Sequence, residues 1–318
     1  MQDNRFRLGQ RLRGTRQPTT FLGVAMIGLI WAGLAFHLSK EKDSALESAK
    51  QNSGNLVRVF EEHVIRVVEQ ANKALLSLRA RYEKSPEQFD IENARVYLDN
   101  LVLQISVISA DGMLKLSTTA PPPGTPIDLS DRDHFRAHLI SGKDALLISK
   151  PMLGRISGKA SVQLSRRLNK PDGSFNGMIV ASIDQSSLAR FYSSIDVGHD
   201  GTIVVMGTDK IVRVSRGFKN IQADGSYPVR FLFKKLQESP TGFFVTSGQV
   251  DGIARLVSYR KVESLPLIVA VGLAKHEVLQ DYSRAARTHR RRHLLLESSF
   301  RQGNRAGPHR SGSGCRLR

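Results

Sequence analysis

Residues 130–135 bring together side chains with clear binding chemistry, because they read Ser-Asp-Arg-Asp-His-Phe. A guanidinium such as that of Arg132 can hold a carboxylate through two parallel hydrogen bonds. The same residues are also typical of a helix start, where Ser130 or Asp131 caps the helix and Asp133 lies in its first turn. In that interpretation Arg132 pairs with its acidic neighbours at the surface. Both interpretations concern recognition or folding, and neither concerns catalysis.

Signatures of catalysis and of metal binding are weak along the chain. Neither a Gly-x-Ser-x-Gly elbow nor a Walker loop occurs. No Cys/His set has the spacing of a zinc site, and His289 and His293 lie in a basic tail without nearby carboxylates. Cys315 is the sole cysteine, so a disulfide framework is excluded. We therefore expect no enzymatic activity, no metal ion and no cofactor.

Residues 21–38 form the one stretch that could cross a membrane, since these 18 residues include no Asp, Glu, Lys or Arg. A helix of that length rises about 27 Å, close to the thickness of the hydrocarbon core. The preceding residues 1–20 carry five arginines against Asp3, so the positive-inside bias predicts a cytoplasmic N-terminus. A cleaved signal peptide is the alternative, with Gly33 and Ala35 near the cut site. We favour a single-pass anchor in a bacterial inner membrane, with the later residues in the periplasm.

The net charge of +18 is concentrated at the two ends of the chain. Residues 1–17 carry five Arg and one Asp, and residues 284–318 carry ten Arg and one Glu. Only +5 therefore remains for residues 39–283. A region with nearly balanced charges lacks the basic surface that nucleic acids require, so we expect no nucleic-acid partner.

A long helix is predicted over residues 40–84, because residues 43–84 contain no proline and one glycine, Gly54. The apolar residues recur at the helical period of about 3.7 residues. They are Leu56, Phe60, Val64, Val67, Ala71, Leu75, Leu78 and Tyr82. Such a helix could carry a displacement to the membrane as one rod, could only hold the domain away from the lipid, or could pair with a second copy in a homodimer.

After Pro86 the sequence changes to short β-like runs separated by Asp-Gly dipeptides, a signal for hairpins. The dipeptides stand at 111–112, 172–173, 200–201, 224–225 and 251–252. Residues 105–117 also align with 203–215 at an offset of 98, and two weaker repeats pair 165–167 with 258–260 and 178–182 with 267–271. The predicted fold class is α+β: a long helix, then two modules at 85–190 and 191–283, each an antiparallel sheet flanked by helices.

The order of motifs over residues 20–283 resembles that of a double Cache sensor, with two PAS-like modules. The residues that carry the resemblance lie at 131–135, 148–151, 157–168, 172–184 and 198–203. Regions of this kind are the outer parts of bacterial sensor histidine kinases and membrane diguanylate cyclases. The resemblance implies a membrane-distal first module that binds a small polar or anionic ligand.

The resemblance also implies five ligand-binding residues: Arg132, His134, Phe135, Lys150 and Asp184. Arg132 would bind a carboxylate, and Asp184 would accept from an ammonium group. His134 and Phe135 stand where the amino-acid-binding members have a Trp-Tyr pair, and they could equally be core residues. Lys150 could neutralise an anion or simply be exposed, and Asp184 could instead cap a helix.

Residues 284–318 depart from the resemblance, which implies a second membrane helix and an output domain after Tyr282. The Arg/Gly/Ser-rich composition predicts disorder. We interpret the tail as a reading frame broken or truncated near residue 284; the alternative is that the tail binds anionic lipid or polysaccharide. The predicted function is extracytoplasmic sensing of a small molecule, with a membrane-tethered binding or scaffold module as the alternative.

Overall fold

The computed structural model describes residues 18–98, 101–121, 126–217, 230–248 and 251–280. Its first element is the helix α1, Pro18–Lys84, which contains the apolar segment and the predicted long helix without a break. Within the described residues α1 is the one helix long and apolar enough to span a membrane, with a mean hydropathy of 2.0 in its apolar window. A signal sequence near an N-terminus would meet the same criterion. The basic tail at 284–318 lies outside the described residues.

Residues Ala49–Glu277 form a compact unit that contains both sheets. After α1, short 3-10 helices at Pro86–Gln88 and Ile91–Tyr97 lead into the first sheet. Its strands are β1 Val102–Ile108, β2 Leu114–Ser117, β3 Leu147–Leu153, β4 Ala160–Asn169 and β5 Phe175–Asp184. They are antiparallel in the order β2-β1-β5-β4-β3, and the helix α2, Asp133–Ile140, packs on this sheet.

The second sheet repeats this topology with the strand order β7-β6-β10-β9-β8. Its strands are β6 Thr202–Gly207, β7 Val212–Arg216, β8 Thr241–Val245, β9 Arg255–Lys261 and β10 Leu267–Ala274. The helix α3, Gln185–Ser193, joins the two sheets, and α4, Arg230–Glu238, lies between β7 and β8. The predicted repeats fall on equivalent strands: β1–β2 on β6–β7, β4 on β9, and β5 on β10. The α+β fold class with two antiparallel modules is confirmed.

The Asp-Gly dipeptides have different roles in the structure. Those at 111–112, 172–173 and 251–252 lie in the turns between β1 and β2, β4 and β5, and β8 and β9. The dipeptide at 200–201 directly precedes β6, so it is not a hairpin turn and that prediction was wrong. The dipeptide at 224–225 lies outside the described residues.

The helix α1 packs on both modules along one face. Within the compact unit its fully buried apolar positions follow the helical period, although Val57 and Val68 are more buried than the predicted Leu56 and Val67. Near its middle, Ser53 Oγ lies 2.7 Å from Ser258 Oγ of the second module. Further along, the Arg166 guanidinium of the first module donates to Asn72 Oδ1 at 2.7 Å. One helix therefore contacts strand β9 and strand β4.

Candidate functional site: a polar cleft in the first module

A cleft opens on one face of the first sheet, between β1, β4 and β5, the start of α2 and the loop at 154–157. It encloses about 400 Å³ of space, including its open mouth. We call it the first-module cleft. Its lining residues are Gln104, Ser106, Ile108, Leu129, Arg132, His134, Met152, Gly154, Arg155, Ile156, Ser157, Gln163, Val180 and Ser182.

The floor of the cleft is polar because three neighbouring strands place an amide, a hydroxyl and an amide side by side. Strand pairing aligns Gln104 of β1 with Ser182 of β5, and Ser182 with Gln163 of β4. Side chains at such paired positions lie on the same face of a sheet. Ser182 Oγ donates to Gln163 Oε1 at 2.6 Å, and Gln163 Nε2 donates to Ser161 Oγ at 2.9 Å. Both ends of the Gln163 amide are thus satisfied within the protein.

Gln104 and His134 each leave one buried polar atom in the cleft without a hydrogen-bond partner. Gln104 Nε2 donates to Ser106 Oγ at 2.6 Å, but its Oε1 accepts from no group of the protein. His134 Nδ1 is likewise buried and unpartnered, and the residue is only 4% exposed. Burying a polar atom without a partner costs about 1–3 kcal/mol, so native proteins rarely do it without a bound molecule to compensate. The two atoms therefore indicate a ligand or an ordered water.

Arg132 is the residue at the N-terminal cap position of α2, and its half-buried guanidinium reaches across the mouth of the cleft. Its Nη2 donates to the carbonyl of Leu153 at 3.2 Å, and its Nη1 lies 3.6 Å from Met152 Sδ. Burial and the nearby charge of Arg155 lower the pKa of Arg132, but from so high a value that the group stays cationic at neutral pH.

The acids on either side of Arg132 pair with other cations. Asp131 accepts two hydrogen bonds of 2.7 Å from Arg155, and Asp133 lies 3.7 Å from Lys150 Nζ. Within the part of the chain that the structure describes, no carboxylate lies within 4 Å of the Arg132 guanidinium. The surface pairing of Arg132 with its neighbours is therefore not what the structure shows, and its charge is available to an anion.

The predicted cap of α2 is also corrected. Neither Ser130 nor Asp131 caps the helix, because it begins at Asp133 and no side chain bonds its first amides from the cap position. Asp131 instead forms an ion pair with Arg155, which is too far away in the sequence for the local preferences of helix caps to predict. Asp133 does lie in the first turn, as predicted.

His134 is neutral in the folded protein. Its burial, followed by the positive charge of Arg132, lowers its pKa to about 4. A neutral imidazole at the cleft can donate or accept at Nδ1, according to its tautomer. It adds no charge that would compete with Arg132 for an anion.

The remaining three predicted residues lie away from the cleft lining. Phe135 belongs to the apolar core, where its ring meets that of Phe175 edge to face at 5.6 Å between centroids. Lys150 is exposed on β3 and pairs with Asp133. Asp184 caps α3, accepting from the backbone and hydroxyl of Ser186 at 3.0 and 2.8 Å. Of the five predicted ligand contacts, the structure brings Arg132 and His134 to the cleft.

Hydrogen bonds explain the ionisation of Asp184. Burial would by itself raise the pKa of Asp184, but the hydrogen bonds from Ser187 and Ser186 outweigh burial and lower it. The carboxylate is therefore charged and already saturated by the start of α3, at 2.7 Å from Ser187 Oγ. Asp184 therefore has the position of a helix cap, which was the alternative to ligand binding.

The polar floor of the cleft was not predicted from the sequence. Gln104 and Ser106 alternate with Ile105 and Val107 along β1, a period of two that could have marked one polar face. No role was predicted for His138, four residues after His134 on α2. The ring of His138 lies 3.0 Å from Ser165 Oγ through Nε2.

One group of potential metal ligands occurs among the described residues, although no metal was expected. His199, Asp200 and Glu277 have ligand atoms within 4.8 Å of one another. Internal contacts account for part of this arrangement: the Asp200 amide donates to Glu277 Oε1 at 3.0 Å, and His199 Nδ1 lies 3.0 Å from Asp200 Oδ1, whereas Glu277 Oε2 is buried without a hydrogen-bond partner. No signal in the sequence could have joined these residues, because Glu277 is far from the other two along the chain.

Comparison with known proteins identifies the class to which this fold and cleft belong. A family model described as "Cache domain" (dCache_1) matches residues 38–282. The chain therefore belongs to the Cache domain family, in the form with two modules. Cache domains of receptors are extracytoplasmic modules that bind ligands. No curated protein matches the chain.

Several solved extracellular domains are similar to this chain. The extracellular domain of rpHK1S-Z16, described as a histidine kinase, is 29% identical with a TM-score of 0.66, and the match covers 74% of this chain and 98% of that domain. The ligand-binding domain of the Pseudomonas fluorescens chemoreceptor CtaA, solved with L-isoleucine, is 12% identical with a TM-score of 0.54, covering 75% and 98%. The Mlp24 domain, solved with asparagine, is 16% identical with a TM-score of 0.53, covering 76% and 99%. The similarity to CtaA and Mlp24 establishes the fold alone.

Proposed function

We propose that this chain is the extracytoplasmic sensor region of a membrane receptor and that it binds a small anionic molecule in the first-module cleft. The observation that carries the proposal is the arrangement of one cation without a carboxylate partner, Arg132, beside two buried unpartnered atoms, Gln104 Oε1 and His134 Nδ1. A carboxylate would accept from Arg132, and a hydroxyl or amide of the same ligand would donate to Gln104 Oε1.

The charges of the cleft favour an anion over a zwitterion. Arg132 and Arg155 line it, whereas no Asp or Glu is among its lining residues. Because Asp131 neutralises Arg155, the cleft has a net charge of about +1 from Arg132. A ligand ammonium would find no carboxylate there, since Asp184 is committed to α3. A small hydroxycarboxylate therefore fits better than the amino acids seen with CtaA and Mlp24.

The helix α1 is the proposed route of transmission, because it contacts both modules and continues into the apolar segment at 21–38. The positive-inside bias supports a cytoplasmic N-terminus and a periplasmic sensor region in a bacterial inner membrane. The receptor would act as a homodimer paired through α1, and it would couple to a histidine kinase or a diguanylate cyclase. A ligand shifts such an equilibrium only by the difference in its affinity for the two states.

The first test is a thermal-shift panel on residues 40–283. This fragment contains the compact unit Ala49–Glu277 with both apolar cores, and related domains were solved without the rest of their chains. A ligand at 100 times its Kd adds about 2.7 kcal/mol, which raises the melting temperature by about 5–10 °C, since a domain of this size has an unfolding entropy of roughly 0.3–0.5 kcal/mol per degree. Hydroxycarboxylates should give a larger shift than the matching amino acids.

Two variants decide whether the cleft is responsible. Arg132→Ala should lose the shift, because the ligand carboxylate loses its only cationic partner. Lys150→Ala is the matched control, since Lys150 lies outside the cleft and should leave the shift intact. An unchanged shift in Arg132→Ala would place the ligand elsewhere and refute the site.

The alternative is a membrane-tethered binding or scaffold module that does not signal. It shares the cleft with the sensor proposal but needs no change in α1. Val59 is 53% exposed on α1, so a Val59→Cys variant can report helix pairing by disulfide formation in membranes. Cross-linking that changes when the ligand is added supports the sensor; ligand binding without any change supports the scaffold.

A further inference from the structure

A second cavity lies on the opposite face of the first sheet from the first-module cleft, where α1, α3 and both sheets meet. It encloses about 440 Å³ of space, including its opening. Most of its wall is apolar, with Val64 and Val68 from α1, Leu164 and Ile183 from the first sheet, and Val214 from the second. We call it the inter-module cavity.

Two polar side chains line this cavity, and each has a buried atom without a partner. Tyr192 of α3 is fully buried, and its hydroxyl makes no hydrogen bond. Arg213 of β7 is 7% exposed, and its Nε is likewise unpartnered. A buried tyrosine hydroxyl ordinarily finds a partner, so two orphaned donors at one apolar cavity need an explanation.

The other nitrogens of Arg213 are satisfied, which determines the charge of the cavity. Its Nη1 and Nη2 donate to the Asp209 carboxylate at 3.1 and 2.8 Å, and Nη1 also donates to the Ile211 carbonyl at 2.8 Å. The guanidinium is therefore already neutralised by Asp209. A second carboxylate would lose its hydration without a free cation to receive it, whereas a neutral oxygen would lose far less.

We propose that the inter-module cavity binds a small, mostly apolar molecule carrying one neutral oxygen acceptor, such as a ketone or an ester. The oxygen accepts from the Tyr192 hydroxyl, with Arg213 Nε as a neighbouring donor, and the hydrocarbon part packs on the valines and leucines of the wall. Burial raises the pKa of Tyr192, so its hydroxyl keeps the proton that it would donate. This site is separate from the first-module cleft and does not depend on the function proposed for it.

A molecule in this cavity would contact both modules at once. Gln185 Nε2 of α3 already donates to the Arg213 carbonyl at 2.8 Å, so α3 and β7 are joined beside the cavity. Because α1 also forms part of the wall, an occupant would favour the arrangement of α1 and the two sheets that closes around it. The chemistry of the site thus implies a second, apolar ligand for the same chain.

The experiment uses cyclohexanone as the probe and methylenecyclohexane, which has a similar shape but no acceptor, as the control compound. Affinities are measured by ligand-observed NMR on residues 40–283. Because a ketone gives up hydration that the hydrocarbon never has, the absolute affinities of the two compounds do not isolate the hydrogen bond, and the effect of a variant on each compound does. Tyr192→Phe should weaken cyclohexanone binding about tenfold, while methylenecyclohexane binding is not weakened.

Three further variants complete the design. Tyr97→Phe is the matched control, because Tyr97 lies outside the cavity wall and should leave both affinities unchanged. Arg132→Ala should also leave them unchanged, which separates this site from the first-module cleft. Val67→Phe should abolish binding by filling the cavity from α1; if this variant does not fold, Tyr192→Phe still decides the question.

Three outcomes would overturn the proposal. The first is no binding of cyclohexanone up to about 10 mM, a concentration that would detect even a weak fragment. The second is equal affinity for cyclohexanone in Tyr192→Phe and Tyr97→Phe. The third is a crystal structure in cyclohexanone that shows only a water molecule bridging Tyr192 and Arg213.

Discussion

The same face of each sheet carries different side chains in the two modules, although their strand order is identical. Strand pairing aligns one row across the three middle strands of each sheet. In the first module the row is Ser106, Val180 and Ser165. In the second module it is Val204, Ala270 and Tyr259. The first row ends in a small hydroxyl residue, and the second ends in a large aromatic one.

The large residue closes the second module. Tyr259 is buried among Leu232 of α4 and Phe244 of β8, and its hydroxyl donates to the carbonyls of Lys235 and Ser239 at 3.1 and 3.3 Å. Its polar tip is therefore satisfied by the protein itself. On the corresponding face of the first module, Gln104 and His134 keep unpartnered atoms. One backbone topology thus gives a packed core in one copy, and a packed core beside a candidate binding cleft in the other.

The largest expected effect tests whether Tyr259 closes the second module. Tyr259→Ala should lower the free energy of unfolding by about 3–5 kcal/mol, because it removes a buried aromatic ring from a packed cluster. Urea denaturation of residues 40–283 measures the change. Tyr259→Phe should cost only about 1 kcal/mol, since it loses two hydrogen bonds but keeps the ring.

The counterpart in the first module provides the control. Ser165→Ala, in the same row of the first sheet, should cost about 1 kcal/mol through its contact with His138. A Tyr259→Ala cost as small as that of Ser165→Ala would show that the second face is not a packed core, and the contrast between the modules would fail.

The second prediction concerns the pH dependence of the first-module cleft. The pKa of His134 is about 4 in the folded protein and about 6.5 in the unfolded chain. Between these values the unfolded state binds more protons, so stability rises with pH. The contribution of His134 is complete above pH 6.5 and is lost as the pH falls toward 4, with a total of at most about 3 kcal/mol.

Comparison of variants isolates this contribution from other groups. As the pH is lowered from about 7 to 4.5, the free energy of unfolding of His134→Asn should fall less than that of the unchanged protein. Urea denaturation at several pH values in this range measures both. His199→Asn is the control, because it makes the same replacement at an exposed histidine outside the cleft. Parallel profiles for His134→Asn and the unchanged protein would show that the cleft does not hold a neutral imidazole.

Sequence patterns predicted the architecture because they depend on local order. The helical period of α1 and the Asp-Gly turns are read from short segments of sequence. The repeat at an offset of 98 residues is read by comparing two such segments. Arg132 and His134 were found by the resemblance to Cache sensors. These parts of the fold and site required no knowledge of distant contacts.

The remaining parts of the site depend on contacts between distant residues. Asp131 does not cap α2 as predicted, because it pairs with Arg155, which is 24 residues away in the sequence. Phe135 of α2 lies in the core because Phe175 of strand β5 packs against it. Gln104, Ser182 and Gln163 become one polar row only when the register of three strands is known. The register in which two strands pair cannot be predicted from either strand's sequence alone.

The smallest predicted effect compares the first hairpin of each module. The turn after β1 contains Asp111-Gly112, with Gly112 at φ +91°, whereas the turn after β6 contains Asp209-Lys210, with Lys210 at φ +69°. A side chain in the left-handed region costs about 1 kcal/mol. Lys210→Gly should remove that cost but also lose the contact of Lys210 Nζ with the Phe233 ring at 5.4 Å.

A matched variant separates the two contributions. Lys210→Met loses the cationic contact but keeps the strained backbone, so Lys210→Gly should be about 1 kcal/mol more stable than Lys210→Met in urea denaturation. The reverse change, Gly112→Ala, should destabilise by more than this, because a Cβ there would lie 2.5 Å from Ser130 Cβ. Equal stability of Lys210→Gly and Lys210→Met would mean that the turn of the second module carries no strain. The two hairpins would then differ in sequence without differing in energy.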